Sequence, residues 1–250
     1  MTLIALLILA EMIRGVGIDQ KLNAQAPLNA EFRDEAGRAV RLREYFDGTR
    51  PVILTLNYYE CPMLCSLELN GLVRALKRIP FTAGKEFAIV TVSFDPLEKP
   101  ALAGLKKTAY LDDYGRAGAA SGWHFLTGDD GPIRELTEAV GFRYRYDPVS
   151  RQYAHASGIL VLTPAGKVAR YFYGIEYSPR DLRLALVDAS AGAIGSPVDQ
   201  VLLLCYQYNP ATGKYAVFVA KSLRIGGVVT VLMLGGFILY FARGKEARLG

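Results

Sequence analysis

Cysteine is scarce in this chain, with three in 250 residues, too few for a disulfide framework. Two of them, Cys61 and Cys65, lie close together, and the third, Cys205, is remote. No block of Lys or Arg and no basic patch interleaved with aromatics accompanies the net charge of +5, so nucleic acid is a poor candidate partner. There is no internal repeat and no low-complexity tract. The apolar run Thr2–Ala10 is too short to span a bilayer and has neither the basic start nor the small-residue cleavage site of a signal peptide. It reads as a packed or interfacial helix, or as the remnant of a longer export signal.

The hydrophobic fraction is high, at 51%, and one segment explains part of it. Ile225–Ala242 carries no charge, and its 18 residues would cover about 27 Å as a helix, close to the apolar thickness of a bilayer. Gly226, Gly227, Gly235 and Gly236 suit close packing between membrane helices. Lys221 and Arg224 precede the run, and Arg243, Lys245 and Arg248 follow it. Positive charge on both flanks leaves orientation open. The chain thus divides into an N-terminal apolar segment (1–20), a folded domain (21–191), a connector (192–222), a transmembrane helix (223–243) and a basic tail (244–250).

Within the folded domain, Glu31–Val40 reads as a hairpin around Asp34–Gly37. Pro51–Tyr59 and Glu86–Phe94 read as buried strands, and Trp123–Thr127 as a short one. Helices are expected from Leu64 to Ile79, from Pro100 to Tyr114, from Asp129/Asp130 to Val140, and from Ser178 to about Ala191. Ser157–Leu162 and Val168–Tyr173 are strands joined by the turn Thr163–Lys167. Strands alternating with helices imply a largely parallel sheet, with the final hairpin adding an antiparallel edge. The fold class is α/β, a thioredoxin-like sandwich followed by a C-terminal transmembrane helix. The connector reads as a hairpin or bent segment.

The chemistry concentrates at Cys61-Pro62-Met63-Leu64-Cys65. Proline is favoured in the first turn of a helix, so Cys61 caps the expected helix and Cys65 lies one turn in, on the same side. A helix N-terminus lowers a thiol's pKa, and the thiolate is both the nucleophile and the metal ligand. The spacing therefore leaves two readings open, a soft-metal site or a redox pair. Cys65, Leu69, Leu72 and Leu76 form one apolar stripe, placing Cys65 at the edge of the core. The second candidate ligand is His155, in a loop just before a core strand. Two thiolates and one imidazole make a soft, low-coordinate set suited to copper, whereas zinc would want a fourth ligand.

Asp95 reads as a carboxylate capping the turn before Pro96, or alternatively as a group orienting a ligand. His124 and Trp123 read as structural, Cys205 as an apolar core thiol, and the Tyr58–Tyr59 pair as lining the site.

At this point the chain resembles the Sco (SenC) family of membrane-anchored copper proteins, from about Leu28 to Ala189. The resemblance is carried by Tyr58-Tyr59-Glu60-Cys61-Pro62-Met63-Leu64-Cys65, by Val92-Ser93-Phe94-Asp95-Pro96, by Gly122-Trp123-His124-Phe125-Leu126-Thr127-Gly128, and by His155 before a strand. It implies that Cys61, Cys65 and His155 hold copper, as Cu(I) or Cu(II). It also implies delivery of copper to, or thiol reduction at, the dinuclear copper site of cytochrome c oxidase subunit II. The implied setting is the bacterial inner membrane, with the folded domain on the periplasmic face. The family is usually anchored by an N-terminal helix, whereas the clear span here is C-terminal. A thiol–disulfide oxidoreductase is the enzymatic alternative, although its usual CxxC spacing is absent. A permanent accessory subunit of a respiratory complex or supercomplex is the other.

Overall fold

A computed structural model describes residues 15–61 and 64–195, together with Gly227, Thr230, Met233 and Leu234, which are helical. Three strands that are buried along their whole length organise it: β4 (Val52–Asn57), β5 (Ala88–Ser93) and β9 (Gly158–Leu162). Their near-continuous apolar runs suit strands covered on both faces. They sit in a five-stranded sheet with β6 (Trp123–Leu126) and β10 (Val168–Tyr173), in the order β10-β9-β4-β5-β6. β4, β5 and β6 run parallel, and β9 runs antiparallel to both β4 and β10. The expected parallel sheet with an antiparallel edge hairpin is therefore present.

Alternation along the strands divides the core into two. Ile53, Ile89 and Ile159 face one side, where they pack with residues of α1 (Leu64–Lys77), α2 (Pro100–Tyr114) and α4 (Pro179–Ser190). Leu54, Leu56, Val90 and Leu160 face the other side, with α3 (Asp130–Ala139) and the small hairpin of β2 (Glu31–Arg33) and β3 (Ala39–Arg41). The stripe Cys65, Leu69, Leu72 and Leu76 is buried as expected. Cys61 and Cys65, however, belong to the second core, whereas Leu69, Leu72 and Leu76 belong to the first. The first turn of α1 thus sits at the rim of the sheet, beyond the C-terminal end of β4.

One element departs from the sequence expectation. Phe142–Asp147 forms β7, which pairs with β8 (Gln152–His155), and β1 (Gly17–Ile18) lies on the other side of β7. Phe142, Tyr144 and Tyr146 alternate with Arg143 and Arg145, a period-2 pattern interrupted by the Asp147–Arg151 turn, in which Arg151 takes a left-handed φ of 56°. His155 is consequently the last residue of a strand, opposite Tyr144, and does not lie in a loop.

Among the described residues no helix is long and apolar enough to cross a membrane. The N-terminal run Thr2–Ala10, Cys205, the apolar runs of the connector and all but four positions of the expected span lie outside the described residues.

Candidate metal centre

The site is assembled where β4 gives way to α1. A turn carries the chain off the strand, with the Cys61 N–H donating to the Tyr58 carbonyl at 3.2 Å. The sulfurs then accept from backbone groups near the helix start. The Cys65 N–H donates to Cys61 Sγ at 3.4 Å, and the Tyr58 N–H donates to Cys65 Sγ at 3.5 Å. Cys61 therefore does what a capping side chain does, satisfying an N–H that has no partner within the helix. No disulfide joins the two cysteines.

Register brings His155 to the thiols. Its Nε2 lies 3.3 Å from Cys65 Sγ. Its Nδ1 lies 2.8 Å from the Ala156 carbonyl oxygen, which can only accept, so Nδ1 carries the proton. In the neutral ring that leaves the Nε2 lone pair directed at the sulfur, the tautomer a metal ligand needs. The donor atoms of Cys61, Cys65 and His155 all lie within 4.8 Å of one another. All three side chains are buried, with 8%, 3% and 9% of their surfaces exposed.

Aromatic rings wall the cluster. Tyr58 meets the imidazole edge-on at 5.8 Å between centroids, and Phe94 does so at 5.2 Å. The Tyr58 side chain is also hydrogen-bonded with Cys61. Tyr59 does not line the site. Tyr58 packs in the second core and Tyr59 in the first, where the Tyr59 hydroxyl donates to the Leu126 and Thr91 carbonyls at 2.7 and 3.1 Å. The lowered thiol pKa expected at the helix start is not found at Cys65: burial pushes its thiol far above the ordinary value, with its hydrogen bond to Cys61 adding to the effect.

Asp95 caps its own turn by accepting the Leu97 N–H at 2.9 Å. It also accepts the Tyr153 hydroxyl at 3.3 Å, and the Tyr153 ring packs on Tyr58. Asp95 therefore reaches the aromatic wall, and two rings, Tyr153 and Tyr58, separate it from the candidate cluster. His124 is remote from the cluster, its ring centroid 4.4 Å from that of Tyr45 at a tilt of 42°, with its pKa lowered by burial. Trp123 is fully buried and donates from Nε1 to Thr91 Oγ1 at 3.0 Å.

Two buried carboxyl groups, Glu68 and Glu98, belong to no motif in the sequence. Glu98 accepts the Tyr59 and Glu60 N–H groups at 2.8 and 2.7 Å, and so clamps the turn that leads into Cys61. Glu68, on α1, accepts from Asn57, Ser157 and Gly158. Burial pushes its pKa up to about 7. Its signal was available, since a charged residue at i+3 from Cys65 interrupts the apolar stripe. Glu98 carries no comparable mark.

The family model described as SCO1/SenC matches residues 20–188. No curated protein sequence matches the chain. A putative electron transfer protein from Aquifex aeolicus VF5 is similar, with a TM-score of 0.59 at 24% identity over 69% of this chain and 96% of that one. Arabidopsis thaliana ScoI, solved with copper bound, gives a TM-score of 0.53 at 18% identity over 68% of this chain and 99% of that one. BsSco gives 0.52 at 23% identity over 69% and 98%. It is described as having a disulfide switch and as a member of the Sco family of cytochrome c oxidase assembly proteins. At these identities the likeness is one of fold.

Proposed function

The chain belongs to the SCO1/SenC family, and we propose that it is a copper chaperone for cytochrome c oxidase that carries its cargo on Cys61, Cys65 and His155. The observation that carries this reading is the buried cluster of two sulfurs and one imidazole nitrogen within 4.8 Å. Soft thiolates select Cu(I), imidazole suits copper in either oxidation state, and three donors fall one short of a structural zinc site. Burial beneath Tyr58 and Phe94 restricts water, which favours retention of the ion until a partner displaces it. The recipient in this reading is the dinuclear copper site of oxidase subunit II. The charge-free run Ile225–Ala242 supports anchoring in the bacterial inner membrane, with the copper domain on the periplasmic face. Oxidase assembly by BsSco and copper bound to the Arabidopsis relative support the same assignment.

The test is copper titration of the purified full chain, followed by transfer to an oxidase subunit II domain. One copper per chain, a sulfur-to-Cu(II) charge-transfer band and its loss in His155→Ala are expected. Unchanged affinity and spectrum in His155→Ala would remove the three-ligand site.

A second reading draws on the two thiols themselves and on the disulfide switch described for BsSco. The pair would reduce a partner's disulfide through a mixed disulfide, ending as a Cys61–Cys65 bond with two electrons passed to the partner. Either role requires the Cys65 thiolate, and copper carriage is the better-supported one because His155 completes a three-donor set that thiol exchange does not need. Full reduction of a disulfide-bonded subunit II peptide by metal-free protein would reverse that preference.

A further inference from the structure

Glu68 has no exposed surface, although a buried carboxyl group is costly unless it is well paired. Its Oε2 accepts from Ser157 Oγ and from the Gly158 N–H, both at 2.8 Å, and its Oε1 accepts from Asn57 Nδ2 at 3.1 Å. These donors come from two other segments, and each segment leads to the metal cluster. Asn57 ends β4 and immediately precedes Tyr58, whose N–H donates to Cys65 Sγ. Ser157 and Gly158 follow Ala156, whose carbonyl fixes the His155 tautomer. Glu68 itself lies three residues past Cys65 on α1.

We propose that Glu68 is a positioning residue for the metal site, holding the segment that bears His155 against the helix that bears Cys65. The 3.3 Å approach of Nε2 to Sγ links residues 90 apart in sequence, and Glu68 spans the same gap through Ser157 and Gly158. The contacts required are hydrogen bonds, and the negative charge is not. A glutamine can reproduce them: its carbonyl oxygen accepts from Ser157 and Gly158, and its amide donates to Asn57 Oδ1. That oxygen is buried and has no hydrogen-bond partner, and it is brought into line by turning the Asn57 amide over. The proposal rests on the copper reading given above.

The test compares the full chain with its Glu68→Gln, Glu68→Ala and Ser157→Ala variants. Copper affinity is measured by chelator competition, together with the sulfur-to-Cu(II) band and the melting of the metal-free protein. Glu68→Gln is expected to keep the wild-type affinity and band. Glu68→Ala is expected to weaken copper binding about 10- to 100-fold, the usual consequence of losing a group that orients a ligand, and to shift the band. Ser157→Ala is expected to fall between them. If Glu68→Ala does not fold, Ser157→Ala and Glu68→Gln decide the matter. Variants that melt lower but keep the affinity and band would overturn positioning in favour of a purely structural role. A Glu68→Gln variant that loses the band would overturn it too. Wild-type protein that takes up no copper overturns the copper reading, and this proposal with it.

Discussion

Cys65 keeps its proton at neutral pH in the metal-free protein, because burial holds its thiol far above the usual range. Copper binds the thiolate, so that proton must leave as the metal enters. Copper affinity is therefore expected to rise with pH across the neutral range. Calorimetry in buffers of different ionisation enthalpy should detect the released proton, and a pH-independent affinity would count against thiolate ligation by Cys65. Glu68 supplies a second pH effect, on stability. Its folded-state pKa, about 7, lies above the ordinary 4.5, so the folded chain holds the proton more tightly than the unfolded one. Its contribution is fully present below about pH 4.5 and is lost as pH rises to about 7, a span worth on the order of 3 kcal/mol. In denaturant melts, wild type should lose stability relative to Glu68→Gln as pH rises through that window, and parallel curves or the opposite trend would contradict the assignment. The three side chains of the candidate site were legible in the sequence, because two close thiols and an imidazole before a strand are rare enough to stand out. Glu68 and Glu98 were not, since a glutamate becomes a buried clamp only when its donors arrive from distant segments.

Helix α1 turns that residue chemistry into geometry. Its apolar stripe was legible, and so was its start beside the cysteines, because period and punctuation are local signals. The β7–β8 hairpin was not legible as strands. Its alternating aromatics and arginines are half exposed, and pairing with β1 and burial of its end against the cysteines complete it. Without that pairing His155 reads as a loop residue; with it, His155 ends a strand. The seating of α1 depends on Gly71, where an added Cβ would lie 1.8 Å from the Ile175 carbonyl oxygen, a backbone atom that cannot swing aside. Gly71→Ala is expected to cost about 1–3 kcal/mol, as overpacking does, and to weaken copper binding because Cys65 moves with the helix. Chemical denaturation alongside copper titration measures both. An unaltered melting curve would show that α1 can shift without loss.

For the whole molecule, the two-sided core leaves the candidate metal site at the edge of a packed sheet. Each face of the sheet is packed independently, and the metal cluster occupies the rim at the carboxyl end of β4, beside the second core. The strand–helix order made this architecture legible in advance, since alternating β and α elements admit few topologies. The three-stranded β1-β7-β8 sheet was not, because its first strand has two residues and offers no pattern to read. The central claim, one copper held by two sulfurs and one imidazole, is most directly tested by X-ray absorption at the copper edge. The copper-loaded full chain should show two sulfur scatterers and one imidazole nitrogen, with the nitrogen lost in His155→Ala. Coordination by sulfur alone, or by nitrogen and oxygen alone, would contradict it.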